Sequence, residues 1–344
     1  MMKYKTSKKV SGRSKISMLL TYISSILLMV GCIICNFKLN FFAFLFSLIA
    51  PILLIINTLF MFYWFIKHRG YSYFPLLSLF IYFIFFSSPL QFNGKRDVNK
   101  ENVFSFMTFN SRAFGASHNV RNSVNSEKII DFVKNEYPDI ISFQEFSKFE
   151  LKSFPLYPYQ FIGYRPNFEK SLQVIYSKYP IVSKGYVDFP NTRNLAIYSD
   201  INIKNEIVRV YNIHLQSYLL KISKSNFNPQ GVNMLVNKVN TAQSKQEKQV
   251  QIILNHAKTF KGKVIFAGDF NSTQYSKNYN YLKNNKKDSF IEAGFGLGVT
   301  YPLFNYPFRI DFILVDNDIE VLSHQNFNLK LSDHEPILAR LAVN

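Results

Sequence analysis

The stretch KVIFAGDFNST, Lys263 to Thr273, places a carboxylate and an amide two residues apart just after an apolar run. Val264 to Ala267 is too short for a buried helix and has the character of a buried strand that Gly268 ends. Residues two apart in extended chain point the same way, so Asp269 and Asn271 reach one pocket while Phe270 packs inward. An Asx turn accounts for this stretch alone, since Asp, Asn, Ser and Gly are ordinary turn residues. The pattern recurs, however. Asn110 follows SFMTF, Gln144 and Glu145 follow IISF, His214 follows VYNI, Asp311 opens a strand after Arg309, and Asp333-His334 precedes the last strand in SDHEPIL. Singly these are turn residues, a hydrogen-bonded core histidine, or an Asp311 paired with Arg309. Together they fit a site where strands deliver side chains to one edge.

The chemistry open to these types is metal-assisted phosphoester hydrolysis. Glu145 with Asn110 and Asp333 offers hard oxygen ligands for Mg²⁺ or Mn²⁺. Near these residues the sequence has no Cys/His grouping of zinc type, which favours a hard cation. Asp269 can orient or deprotonate an attacking water, with Asn271 fixing it. His214 and His334 can hold or protonate phosphoryl oxygens, and Asp311 suits the fixing of a histidine tautomer.

Around these motifs the chain from Asn102 onward alternates short strands with helices. Strands are expected at Val103 to Phe109, Asp139 to Phe143, Leu172 to Tyr176, Ile181 to Val187, Ala196 to Ile203, Ile207 to Ile213, Asp311 to Val315 and Ile337 to Val343. A helix capped by Ser126 carries the stripe Ile129, Ile130, Val133 and Tyr137 and stops at Pro138. A longer helix covers much of Val232 to Phe260, after a loop from Gln216 to Gln230.

Upstream the composition changes. No Asp or Glu precedes Asp97, and only 9 of the 40 Lys and Arg lie at or before Arg69. The downstream part is itself basic, which favours an anionic partner such as nucleic acid or an anionic lipid surface over a solvated lysine-rich surface. A basic tail (residues 1–15) precedes three uncharged apolar runs, Ile16 to Phe37, Phe41 to Ile66 and Tyr71 to Phe92, each long enough for about 30 Å of hydrocarbon. A three-helix membrane anchor over residues 16–93, a linker at 94–101 and a catalytic domain at 102–344 are therefore expected. Cys32 and Cys35, inside the first run, read as packed or lipid-facing. Lys and Arg number eight on the side of the N-terminus and of Lys67 and Arg69, against four (Lys38, Lys95, Arg96, Lys100) on the other. This puts the N-terminus in the cytoplasm and, after three crossings of a bacterial-type membrane, the C-terminal domain outside.

The set TFN (Asn110), SFQE (Glu145), NIHLQS (His214), GDFNS (Asp269, Asn271), GVTY…RIDFIL (Thr300, Asp311) and SDHEPI (Asp333, His334) resembles the endonuclease/exonuclease/phosphatase superfamily. That superfamily includes pancreatic-type deoxyribonucleases, abasic-site endonucleases, neutral sphingomyelinases and inositol polyphosphate phosphatases. IYSKYPI, Ile175 to Ile181, is similar to another of its strands, and the likeness runs over Val103 to Val343. The resemblance implies an α/β fold, a four-layer α/β sandwich of two packed mixed sheets, here preceded by three transmembrane helices. It implies Asn110 and Glu145 at a Mg²⁺ site with Asp333 near it, and Asp269 activating water beside Asn271. It further implies His214 and His334 at the scissile phosphate, and Asp311 orienting His334. Members acting on abasic DNA carry an acidic residue shortly after the first Asn, whereas Ser111-Arg112-Ala113-Phe114 stands here. The expected activity is a membrane-anchored nuclease cleaving a phosphodiester of nucleic acid. A phospholipid or sphingomyelin-type phosphodiesterase or phosphatase is the alternative, and a non-catalytic binding module on the same fold is the second. The aromatics Phe227, Tyr301, Phe304 and Tyr306 suit either bases or lipid, and no protein partner is expected.

Overall fold

The computed structural model describes residues 12–94, 102–116, 121–163, 172–190, 192, 194–220, 228–303 and 306–343. Most of the basic tail, Lys95, Arg96 and Lys100, and Phe227 and Phe304 lie outside the described residues. The chain divides into two compact units, one up to Ser87 and one formed chiefly by Ser88 onward.

The first unit holds helices α1 (Gly12–Phe37), α2 (Phe41–Lys67) and α3 (Arg69–Phe85). Its interior carries polar residues that hydrogen-bond from one helix to another. The Asn57 side-chain oxygen accepts from Ser25 Oγ at 2.7 Å and Ser78 Oγ at 3.2 Å, so one amide links all three helices. Trp64 Nε1 donates to Thr21 Oγ1 at 2.7 Å. Cys32 and Cys35 are buried free thiols. Two helices, Lys15–Phe37 and Phe41–Lys67, are long and apolar enough to cross a membrane by length and composition. The third expected span falls short: its helix ends at Phe85 rather than Phe92 and has 17 residues. At 1.5 Å per residue it rises about 26 Å, less than a typical hydrocarbon core. The expectation of three transmembrane helices is thus corrected to two candidates.

In the second unit twelve strands build two six-stranded mixed sheets. They are β1 (Val103–Asn110), β2 (Ile140–Phe146), β3 (Tyr159–Gly163), β4 (Leu172–Ser177), β5 (Ile181–Val187), β6 (Ala196–Ile203), β7 (Glu206–His214), β8 (Lys263–Asp269), β9 (Lys286–Asp288), β10 (Asp311–Asp316), β11 (Ile319–Asn326) and β12 (Ile337–Val343). The first sheet has the order β11-β12-β1-β2-β4-β3, the second β9-β10-β8-β7-β6-β5. Alternation along each strand sorts side chains into layers. Phe104 and Phe106 of β1, Val208 and Val210 of β7, Ile265 and Ala267 of β8 and Ile313 of β10 form the core between the sheets. Met107, Phe109, Ile141 and Phe143 face outward beneath α4 (Ser123–Glu136), through Ile129, Ile130 and Val133. Tyr211, Ile213, Val264 and Phe266 lie beneath α5 (Pro229–Ala257), through Val250 and Ile253. The result is the expected α/β sandwich.

Two parallel pairs decide where the polar strand ends go. β1 and β2 run parallel around α4, with Asn110 opposite Gln144, and β7 and β8 run parallel around α5, with His214 opposite Asp269. The antiparallel β10 starts where β8 ends, with Asp311 opposite Asp269. Helix crossovers return each strand to the same edge, so four strand ends and one strand start meet there.

Local differences have local causes. α4 begins at Ser123 rather than after Ser126, because the Asn122 side chain accepts from the Asn125 N–H and caps the helix four residues earlier. It ends before Pro138, with Tyr137 left-handed. β3 and β11, which the sequence pattern did not separate from loop, are edge strands of the first sheet.

Candidate active site

Asp269 sits at the end of β8 because Gly268 lets the backbone pass close to β7. A Cβ on Gly268, whose φ is +129°, would lie 2.1 Å from the Ile213 carbonyl oxygen. The Asp269 carboxylate is buried. Its Oδ1 accepts the Asn271 N–H at 2.8 Å, and its Oδ2 accepts from Asn110 Nδ2 at 3.0 Å and Asn271 Nδ2 at 3.2 Å. Asn271 is left-handed (φ 47°), as Asn tolerates, and also donates to the Leu215 carbonyl at 3.0 Å. Phe270 is buried in the outer core, as its alternation with Asp269 predicts.

Two histidines flank this carboxylate. His214 Nε2 lies 3.7 Å from Asp269 Oδ2 and 3.8 Å from Glu145 Oε1. His334 Nε2 lies 3.6 Å from Asp269 Oδ2, and its Nδ1–H donates to Asp311 Oδ2 at 2.9 Å. Tyr301 packs on the His334 ring, centroids 4.7 Å apart. Glu145 ends β2 in a left-handed conformation, φ 47°. Its carbonyl accepts from Ser111 Oγ at 3.1 Å. Asp333 stands on the rim, and the neighbouring Ser332 Oγ donates to the Asn110 carbonyl at 2.9 Å. Asn110, Glu145, His214, Asp269, Asn271, Asp311, Asp333 and His334 are thus brought to one place. Asp311 does not pair with Arg309, whose guanidinium instead meets Asp288 at 2.7 Å in the interior.

Electrostatics separates the two histidines. Burial lowers His214, only partly opposed by Asp269, so it is neutral near pH 7. Burial disfavours charge on His334 too, but Asp311 and then Asp269 outweigh it and push its pKa up to about 10. Burial pushes Asp269 up to about 6, with Asp311 adding to the rise and both histidines opposing it. Burial likewise raises Glu145, against the pull of His334. The site therefore holds a carboxylate poised near neutrality, a cationic imidazole and a neutral one.

Atoms of Asp269, Asp311 and His334 lie within 4.8 Å of one another, close enough to share a cation. A protonated His334 bound to Asp311 is no metal ligand. Asn110, Glu145 and Asp333 fit a hard divalent ion better, because every donor they offer is oxygen.

Several supporting contacts were not legible in the sequence, although Thr300 and Gln144 themselves stand in its motifs. Thr300 Oγ1 accepts the N–H groups of both Ile310 and Asp311, at 3.0 and 3.1 Å, and the Thr300 carbonyl accepts the Glu335 N–H at 2.7 Å. One buried threonine thus ties the Asp311 strand to the His334 loop. Gln246 of α5 donates to the carbonyls of Gln216 and Asn271 and accepts from Ser272. Gln144 Nε2 donates to Asn212 Oδ1 at 2.7 Å, joining the two sheets just beneath the site. The recurrence of glutamine at positions 243, 246 and 249, among the buried Val239, Ala242, Val250 and Ile253 of α5, is the sequence signal that points to Gln246.

The sequence profile of the Endonuclease/Exonuclease/phosphatase family matches residues 107–334, and the chain belongs to that family. No curated protein matches it significantly. Among solved structures, an endonuclease/exonuclease/phosphatase from Bacteroides vulgatus is 19% identical, covering 71% of this chain and 100% of that one with a TM-score of 0.53. Truncated Caenorhabditis elegans TDP2 is 15% identical over 71% and 99% of the two chains, TM-score 0.55. D. rerio TDP2 complexed with single strand DNA product is 14% identical over 71% and 100%, TM-score 0.54. At these identities the likeness is one of fold.

Proposed function

We propose that the second unit is a metal-dependent phosphodiester hydrolase acting as a nuclease. The observation that carries this reading is the Asp269 carboxylate, held by Asn110 and Asn271 and flanked within 4 Å by His214 and His334. Asp269 orients the attacking water and takes its proton. The cationic His334, steadied by Asp311, faces the phosphoryl oxygens and stabilises the charge that develops there, while neutral His214 donates to them from the opposite side. Asn271 fixes the Asp269 rotamer. Asn110, Glu145 and Asp333 would hold Mg²⁺ or Mn²⁺, which when bound supplies Lewis-acid stabilisation of the phosphoryl group.

Nucleic acid is the substrate favoured by the basic charge of this part of the chain and by the DNA product seen in the D. rerio TDP2 structure. A phospholipid diester is the second reading, favoured by the apolar helices α1 and α2. The purified full chain in detergent, given Mg²⁺ with DNA, RNA, sphingomyelin or inositol phosphates, separates them. Cleavage confined to sphingomyelin would replace the nuclease assignment.

Membrane anchorage is supported by the two long apolar helices α1 and α2, and the Lys and Arg of the tail and of Lys67 and Arg69 favour a cytoplasmic N-terminus. With α1 and α2 crossing, a reporter fused after Asn344 should be cytoplasmic. An extracytoplasmic reporter would mean that a third segment crosses.

A further inference from the structure

The segment after Asn110 folds in an unusual way that catalysis at Asp269 does not require. Arg112, Ala113 and Phe114 are left-handed in succession (φ 44°, 51° and 58°), followed by Gly115 at φ 75°. Consecutive non-glycine residues in this region are strained and persist only where their surroundings over-determine them. Here the surroundings do. The Phe114 ring is fully buried against Phe143, Phe146 and Phe154, at centroid distances of 5.8, 5.0 and 6.5 Å. Ser111 is tied to β2 through its N–H, which donates to the Gln144 carbonyl, and its hydroxyl, which donates to Glu145. The Arg112 N–H donates to Asn110 Oδ1 at 3.2 Å.

What this strained turn presents is the Arg112 side chain. It is 64% exposed and stands on the rim 3.5 Å from Asp333, itself 38% exposed. Asp333 immediately precedes His334, so the guanidinium stands beside the mouth of the site. An exposed ion pair of that length contributes little to stability. The guanidinium is therefore held in place by the fold without being used by it. The inner positions beside Asp269 are already filled by His214 and His334.

We propose that Arg112 is a specificity-determining residue that binds a second phosphate of the substrate, the one next to the scissile phosphate along a nucleic-acid strand. Its planar fork can pair with two non-bridging phosphate oxygens at once, whereas toward Asp333 it makes one long contact of 3.5 Å. Binding draws Arg112 from Asp333. A substrate with a single phosphate gains nothing from it.

This inference rests on the phosphodiesterase reading above, and the experiment keeps the two apart. The full chain in detergent is assayed with Mg²⁺ on a single-stranded DNA oligonucleotide and on bis(4-nitrophenyl) phosphate, for wild type, Arg112→Gln and Arg112→Lys. Arg112→Gln should raise KM for the oligonucleotide about tenfold with kcat changed by less than about threefold. The slope of log kcat/KM against log salt should become shallower by about 0.7. Its loss on the monophosphate diester should be at least about fivefold smaller. Arg112→Lys should keep the salt slope but recover only part of the KM. Oligonucleotide affinity, read by fluorescence anisotropy in the Asp269→Asn chain, should fall about tenfold with Arg112→Gln. Equal losses on both substrates, or unchanged KM, slope and affinity, would overturn the role of Arg112. A wild-type chain inactive on both substrates would instead remove the phosphodiesterase reading, and the anisotropy result would still decide the fate of the Arg112 contact.

Discussion

Nδ1 of His334 lies 2.9 Å from Oδ2 of Asp311, although Asp311 starts a strand of one sheet and His334 precedes a strand of the other. The hydrogen bond therefore joins the two halves of the sandwich at the site and sets the orientation of the imidazole that faces Asp269. If Asp311 acts only through His334, Asp311→Asn and His334→Ala should not add. Each should lower kcat/KM by about 10²-fold or more, and the double variant should be little worse than His334→Ala. Additive losses in the four-way comparison would give Asp311 another role.

Activity should vanish on chelation with EDTA and return with Mg²⁺ or Mn²⁺, since the donors of Asn110, Glu145 and Asp333 are all oxygen. Glu145→Gln keeps the size of the side chain and removes its charge, so half-maximal activity should need about tenfold more metal. Metal titrations of kcat/KM measure this, and an unchanged requirement takes Glu145 out of the ion's shell.

Thr300 should be worth more than its small size suggests. Thr300→Val keeps the shape but leaves the Ile310 and Asp311 N–H groups without their acceptor. Each such buried group costs about 1–3 kcal/mol. Thermal melting should fall, and kcat should fall with it as Asp311 loosens, whereas Thr300→Ser should retain both. A Thr300→Val chain with wild-type melting and kcat would show that the bonds carry no weight.

Far from the catalytic residues, His324 makes stability sensitive to acid. Its ring is buried beside Ser289, with Nδ1 and the Ser289 hydroxyl 2.8 Å apart. Burial lowers its pKa to about 4. The unfolded chain, with a histidine near 6.5, therefore binds a proton that the folded chain refuses. Stability is unaffected above pH 6.5 and falls as pH drops from 6.5 towards 4, by about 3 kcal/mol in all. Denaturant melts at pH 7.5 and 4.5 should show this loss, and His324→Gln should shrink it. Equal pH sensitivity in the variant would assign the acid loss to other groups.

The sequence was most informative where one residue type has few uses. GDFN, NIHL and SDHE stood out because polar groups rarely interrupt apolar strands by chance, and the parallel pairs β1/β2 and β7/β8 bring them to one edge. Thr300, Gln144 and Gln246 were invisible as supports because their partners are backbone groups or amides distant in sequence, set by tertiary contact alone. Arg309 misled for the same reason: nearness in sequence suggested Asp311, but Arg309 lies before the strand begins and its guanidinium meets Asp288, a partner set by tertiary contact. The third membrane span was over-read because an apolar run to Phe92 hides the point at which the helix stops.

The most direct test of the hydrolase account is the turnover of Asp269→Asn, since that carboxylate is the common neighbour of Asn110, Asn271, His214 and His334. The measurement is kcat on a DNA oligonucleotide with saturating Mg²⁺, alongside circular dichroism to show an intact fold. The account predicts a folded chain whose kcat is lower by at least about 10²-fold, the scale of a lost general base. A folded Asp269→Asn chain that turns over at the wild-type rate would contradict it.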